Sequence, residues 1–111
     1  MTKPTTADLF FAAAQPRSEP FELPGVGEVQ VMELKEADVA LIRKRVETES
    51  DTARRSKIFG LGLVVRSVHK DGARVFVEAD IDRFAEVGNS AVERLAAAVL
   101  KVNGYGADLG N

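Results

Sequence analysis

The chain contains no cysteine. Disulfides, thiolate metal sites and cysteine nucleophiles are thereby excluded, and a reducing compartment suits such a composition. There is a single histidine, His69. A catalytic imidazole needs an orienting partner and usually a nucleophile, and no motif around His69 supplies them; an exposed turn histidine is expected. Aromatic residues make up only 6% of the chain, so its core must be mainly aliphatic. There is no large excess of charge of one sign. The formal net charge of −2 exerts no general pull toward nucleic acid or an anionic membrane. No apolar run approaches the roughly 20 residues of a membrane-spanning helix. The stretch Leu9-Phe10-Phe11-Ala12-Ala13-Ala14 is short and follows acidic Asp8, which does not fit a signal peptide. The expectation is a soluble, intracellular protein.

What is present is enough for one compact domain: 111 residues, 45% of them hydrophobic. The stretch from Val64 to Gly104 organises the chain. An apolar segment ends at Val68, and His69-Lys70-Asp71-Gly72 turns the backbone. Val75, Phe76 and Val77 form a short apolar run. Asp80 opens an acidic helical turn in which Ile81, Phe84 and Val87 fall at three-residue steps. Ser90 and Glu93 fit a Ser-x-x-Glu capping box, which predicts a helix start there. Val92, Leu95, Ala96, Val99 and Val102 then repeat at steps of three and four, as one buried helix face does. Gly104 follows Asn103, where a left-handed residue closes a helix.

Upstream, residues 1–20 are interrupted by Pro4, Pro16 and Pro20 and predict a mostly disordered arm. Inside it Thr6 is placed to cap a short helix carrying Leu9, Phe10 and Phe11. Two adjacent Phe residues are costly to leave in water. They either pack on their own domain or dock on a partner. A hairpin is expected from Phe21–Leu23 to Glu28–Leu34, across Pro24-Gly25-Val26-Gly27. Lys35 to Glu47 reads as a helix with Val39, Ile42 and Val46 on one face. Ser50 or Asp51 is placed to cap the next element. From Thr52 to Val68 the pattern divides. Ile58, Leu61, Val65 and Val68 have helical spacing, whereas Phe59, Leu61, Leu63 and Val65 alternate as in a strand. Gly60 and Gly62 each weaken a helix by roughly 1 kcal/mol against Ala, or mark close approach.

Little here carries chemistry. Ser67, Asp71, Gly72 and Glu78 echo a calcium loop faintly, but its first and third positions would be Ser67 and His69, which lack the required carboxylates. The paired glycines do not extend to a dinucleotide fingerprint. No catalytic residue, metal ligand or cofactor is assigned. Arg43, Lys44, Arg45, Arg54, Arg55, Lys57 and Arg66 crowd the middle of the chain. They allow a nucleic-acid-binding or regulatory module as an alternative function. Glu47, Glu49 and Asp51 interleave with them, and no exposed aromatic is expected beside them for base stacking.

The order of features resembles the tail assembly chaperones of long-tailed, siphovirus-like phages and prophages. The resemblance rests on Val29-Gln30-Val31-Met32-Glu33-Leu34, then a charged helix, then Val64-Val65-Arg66-Ser67-Val68 before Asp71-Gly72. Phe76, Asp80-Ile81 and the closing Leu100-Lys101-Val102-Asn103-Gly104 complete it. It covers roughly Phe21 to Gly106, with Lys35 in place of the usual hydroxyl cap. The resemblance favours a helix from about Thr52 to Val68. It implies a non-enzymatic factor in the bacterial cytoplasm that binds the tape-measure protein during tail assembly, with the tail-tube protein as a further partner and self-association left open. Genes of such families often make a longer frameshifted product near the end of the reading frame.

The expected fold is therefore α+β and mostly helical, a small N-terminal hairpin packed by three to four helices. Residues 1–20 are the arm, 21–104 one domain and 105–111 a flexible tail. The expected partner-binding residues are Leu9, Phe10 and Phe11 of the arm, with Arg54 and Arg55 of the basic segment.

Overall fold

Val29 and Val31 are buried while Glu28 between them and the turn is exposed, and this two-residue period makes strand β2 (Gly27–Met32). The computed structural model describes residues 2–105. Strand β1 (Ser18–Leu23) pairs antiparallel with β2, Phe21 opposite Val29 and Glu19 opposite Val31. Gly25 and Gly27, with φ of 78° and 103°, let the turn between them close. The strands reach further toward the N-terminus than expected: β1 begins at Ser18, inside the predicted arm, and β2 ends at Met32 rather than Leu34.

The hairpin does not stand alone. β3 (Val68–Lys70) pairs with β2, and β4 (Ala73–Arg74) pairs with β3, giving a four-stranded antiparallel sheet in the order β1-β2-β3-β4. The connection is a two-residue turn with positive φ at both positions, 52° at Asp71 and 82° at Gly72. Those values are the signature of a type I′ hairpin turn, whose twist suits paired strands. One expectation is corrected by it. His69 is not an exposed turn residue; it sits half-buried in β3, its Nδ1 3.1 Å from the Ser67 carbonyl oxygen. The short apolar run Val75 to Val77 lies outside the strands. The ladder ends with the Val75 N–H donating to Val68 O at 3.0 Å, and the chain then leaves the sheet.

The free edge of β1 is blunted. The Glu33 N–H donates to Arg17 O at 2.7 Å, so in the β1–β2 register the N–H groups of odd-numbered β1 residues face β2 and those of even-numbered ones face out. Pro20 falls at an outward position and has no N–H to offer a further strand.

Helices dominate, and the fold is α+β. α1 (Thr6–Ala13) precedes the sheet, α2 (Glu36–Glu47) and α3 (Thr52–Ser67) lie between β2 and β3, and α4 (Asn89–Val102) closes the described chain. A 3-10 segment, Glu78–Glu86, joins β4 to α4. The ambiguous stretch is the helix α3, giving up only Val68 to the sheet. It is the centre of the fold: Leu61, Gly62, Leu63, Val64 and Val65 are all buried, so its second half is covered all round. Asp51 caps it, accepting from the N–H groups of Ala53 at 3.0 Å and Arg54 at 3.4 Å. At Gly62 α2 packs close against the helix. A Cβ there would stand 3.0 Å from Ile42 Cγ2. At Gly60 nothing lies within 4 Å, so only Gly62 answers to close approach.

α4 buries Leu95, Val99 and Val102, with Val92 and Ala96 beside them. Its end is a Schellman motif: the Gly104 N–H donates to Lys101 O at 3.1 Å and the Tyr105 N–H to Leu100 O at 2.8 Å, with φ of 86° at Gly104. Its start differs from expectation. The N–H groups of Ala91 and Val92 donate to Gly88 O, so the first turn forms ahead of Ser90, and no capping box involves Ser90 and Glu93. The predicted helix in the arm is likewise capped one residue earlier, by Thr5 rather than Thr6. Thr5 Oγ1 accepts from the Asp8 N–H at 3.0 Å and Asp8 Oδ2 from the Thr5 N–H at 2.9 Å, because the acidic residue must stand three positions after the cap. Of the expected C-terminal tail, only Tyr105 falls among the described residues. No helix among them is long and apolar enough to cross a membrane.

Candidate interaction surfaces

No residue of α1 is buried. Leu9, Phe10 and Phe11 are 59%, 62% and 63% exposed, and the two Phe rings meet edge-on, centroids 5.3 Å apart. Three consecutive helical residues sweep roughly 200° of the helix rather than lining one side. The helix is held at both ends locally. The Thr5–Asp8 box closes its start, and Gln15 Nε2 donates to Phe11 O at 2.9 Å at its end. Asp8 is held below its ordinary pKa by the Thr5 N–H and hydroxyl. Beyond Pro16 the chain is tied down. The Arg17 N–H donates to Glu33 Oε1 at 3.1 Å, and its guanidinium Nη2 donates to Val102 O at 3.3 Å.

Arg54 and Arg55 lie elsewhere, on the first turn of α3. Arg54 is already engaged within the chain, its Nε 3.0 Å from Glu49 Oε1 and its Nη2 2.9 Å from Asp82 Oδ1. The Asp82 carboxylate pushes its pKa up from the ordinary arginine value. Arg55 donates to the Glu49 carbonyl oxygen. No hydrogen bond, ion pair or aromatic contact joins these residues to Leu9, Phe10 or Phe11 among the described residues. Arg66 faces Glu78 at 3.7 Å. Two members of the basic cluster thus have carboxylate partners, while Arg43, Lys44, Arg45 and Lys57 remain exposed.

A second apolar surface was not expected from sequence. A 3-10 helix has three residues per turn, so residues three apart fall in line. Ile81, Phe84 and Val87 form such a row, running from the core outward: Ile81 is buried, Phe84 half-buried and Val87 52% exposed. Phe76 meets Phe84 edge-on, centroids 5.2 Å apart. Phe76, Phe84 and Val87, with Asp80, Arg83 and Glu86 around them, line a cleft of about 270 Å³. That falls just under the usual range for ligand pockets and suits inserted side chains. Asp80 anchors the wall. Its Oδ2 accepts from the Val77 N–H at 2.8 Å and Oδ1 from Arg83 Nη1 at 3.1 Å, and the Val77 bond, then Arg83, draw its pKa below the ordinary value. The three-residue steps were visible in the sequence; the cleft depends on Phe76 arriving from outside the segment.

Among the described residues no group of three or more His, Asp or Glu side chains is placed to hold a metal ion. Compared with known proteins, the chain matches no family model, no curated protein and no solved structure.

Proposed function

We propose that the chain is a non-enzymatic tail assembly chaperone of a long-tailed phage or prophage, acting in the bacterial cytoplasm and binding the tape-measure protein. The order of motifs suggests the family. The observation that best supports a binding role is the exposed knot Leu9, Phe10 and Phe11, carried on a capped helix with no buried residue. A tape-measure protein is a long helix whose apolar stripes stand in water until tube protein covers them, and a small domain in many copies shields them. Burying one Phe is worth roughly 1.5–3 kcal/mol, so two hold a complex that is reversible.

Co-expression with the long helical protein encoded downstream, followed by pull-down, tests this reading. Wild-type protein captures it. The variant Phe10→Ser/Phe11→Ser loses most of the capture while its melting temperature stays nearly unchanged. A large fall in melting temperature with capture intact removes the arm from the binding surface. A gene placed among unrelated metabolic genes, with no tube gene or long helical reading frame beside it, counts against the whole assignment.

A further inference from the structure

Between the end of α2 and the start of α3 lies an open groove of about 530 Å³, within the usual range for binding sites. Arg43, Val46 and Glu47 line it from α2, and Arg55, Ser56 and Phe59 from α3. We infer that it docks an acidic peptide segment of a partner protein, which sets a large apolar side chain on the floor and carboxylates on the two arginines.

The floor is Val46 and Phe59, both half-buried. They pack against the core and leave a side open to the groove. The Phe59 ring is held from behind by Tyr105, edge-on with centroids 5.9 Å apart, so the apolar floor stands ready before anything binds. The rim is cationic. Arg43 and Arg55 are exposed, and neither belongs to an ion pair among the described residues. This separates them from Arg54 and Arg66, which face carboxylates. The Arg55 Nε donates to the Glu49 carbonyl oxygen, which steadies its head and leaves its charge unanswered. A guanidinium offers a carboxylate two parallel N–H donors.

Charge around the groove agrees. From Arg43 to Lys57 six cations stand against three acids. Two of those acids are engaged, Glu49 with Arg54 and Asp51 as the cap of α3. The segment therefore carries +3 in a chain of −2, the other residues carry −5, and an acidic ligand is steered to this end. Glu47 decides between a peptide and a nucleic acid. It is exposed and in no ion pair among the described residues. A phosphate backbone, charged at every step, meets repulsion there and gains nothing from Val46. A peptide places its acids at the arginines and its apolar side chain between them.

The inference rests on the groove alone, apart from the arm and from the chaperone reading. Its test is titration of the full chain with the peptide acetyl-Glu-Asp-Leu-Phe-Asp-Glu-amide, followed by calorimetry and by NMR. Binding saturates, weakens with added salt, and shifts the Val46 methyl and Phe59 ring signals most. Arg43→Ala and Arg55→Ala, each with an unchanged circular dichroism spectrum, weaken it about tenfold. Glu47→Gln tightens it, a gain that loss of fold cannot imitate. Serine in place of the peptide's Leu-Phe, or lysine in place of its acids, abolishes binding. Phe10→Ser/Phe11→Ser binds the peptide as the wild type does, which separates this groove from the arm. No saturation by millimolar peptide, equal affinity in the arginine variants, or no gain from Glu47→Gln overturns the inference. So does a short duplex DNA that displaces the peptide and shifts the same signals, which would make nucleic acid the occupant.

Discussion

Asn103 holds three parts of the chain at once. Its Oδ1 accepts from the Leu34 N–H at 2.8 Å, and its Nδ2 donates to Ser67 Oγ at 3.2 Å and Val99 O at 2.9 Å. Ser67 is fully buried, and a buried hydroxyl without a partner costs about 1–3 kcal/mol. Asn103→Ala should therefore lose stability of about that size in urea unfolding, and exchange of the Leu34 amide should quicken. Asp80 makes a prediction of opposite visibility, silent at neutral pH. Its folded pKa lies below the ordinary value, through the Val77 N–H first and then Arg83. The bonds are therefore stabilising above about pH 4, the ordinary carboxylate range, and their contribution is lost as pH falls through the depressed folded value. Between pH 4 and pH 2 the urea midpoint of the wild type should fall more steeply than that of Asp80→Asn. Equal slopes would show that this carboxylate plays no part in acid unfolding.

The crossing of α2 and α3 turns on one of two neighbouring glycines. Both lie in α3, and at both an alanine would gain helix propensity, up to about 1 kcal/mol. At Gly60 a Cβ meets nothing within 4 Å, so Gly60→Ala should raise the melting temperature. At Gly62 it meets Ile42, itself 3% exposed and confined. Overpacking of this kind costs typically about 1–3 kcal/mol, enough to outweigh the gain, and Gly62→Ala should lower the melting temperature. Equal stabilisation by the two changes would mean that the helices separate freely at this point.

The core spans β2, α2, α3, β3, the 3-10 segment and α4: Val29, Ile42, Leu63, Val68, Ile81 and Val99 are each at most 8% exposed. α1 contributes no buried residue to it. Removing residues 2–15 takes away helix and apolar surface but no core, and surface changes of this kind stay within about 0.5 kcal/mol. For a domain of this size the melting temperature should move by less than about 4 °C. A larger fall would place the arm within the stabilising structure of its own chain. Arg17, with its bonds to Glu33 and Val102, is the place where that independence ends.

α4 was readable because its cause is local. Val92, Leu95, Ala96, Val99 and Val102 state a helical face, and Gly104 states its end, without reference to anything distant. The α+β class, the hairpin and the helix at residues 36–47 follow from the same short-range periods. The segment around α3 was ambiguous because helix and strand periods coexist there. Its second half, Leu61 to Val65, is buried on every side and so carries no polar face to break the tie. The pairing of β3 with β2 sets His69 opposite Gln30, residues far apart in sequence. It depends on closing a long loop over two helices, which no local pattern reports. The candidate surface divides in the same way. Leu9, Phe10 and Phe11 could be named as an apolar knot, but that α1 packs no residue into the core is decided only in the folded chain. The cleft at Phe76, Phe84 and Val87 exists because a three-residue turn aligns two of these side chains and folding brings the third alongside, and burial and chain closure act only once the whole chain is assembled.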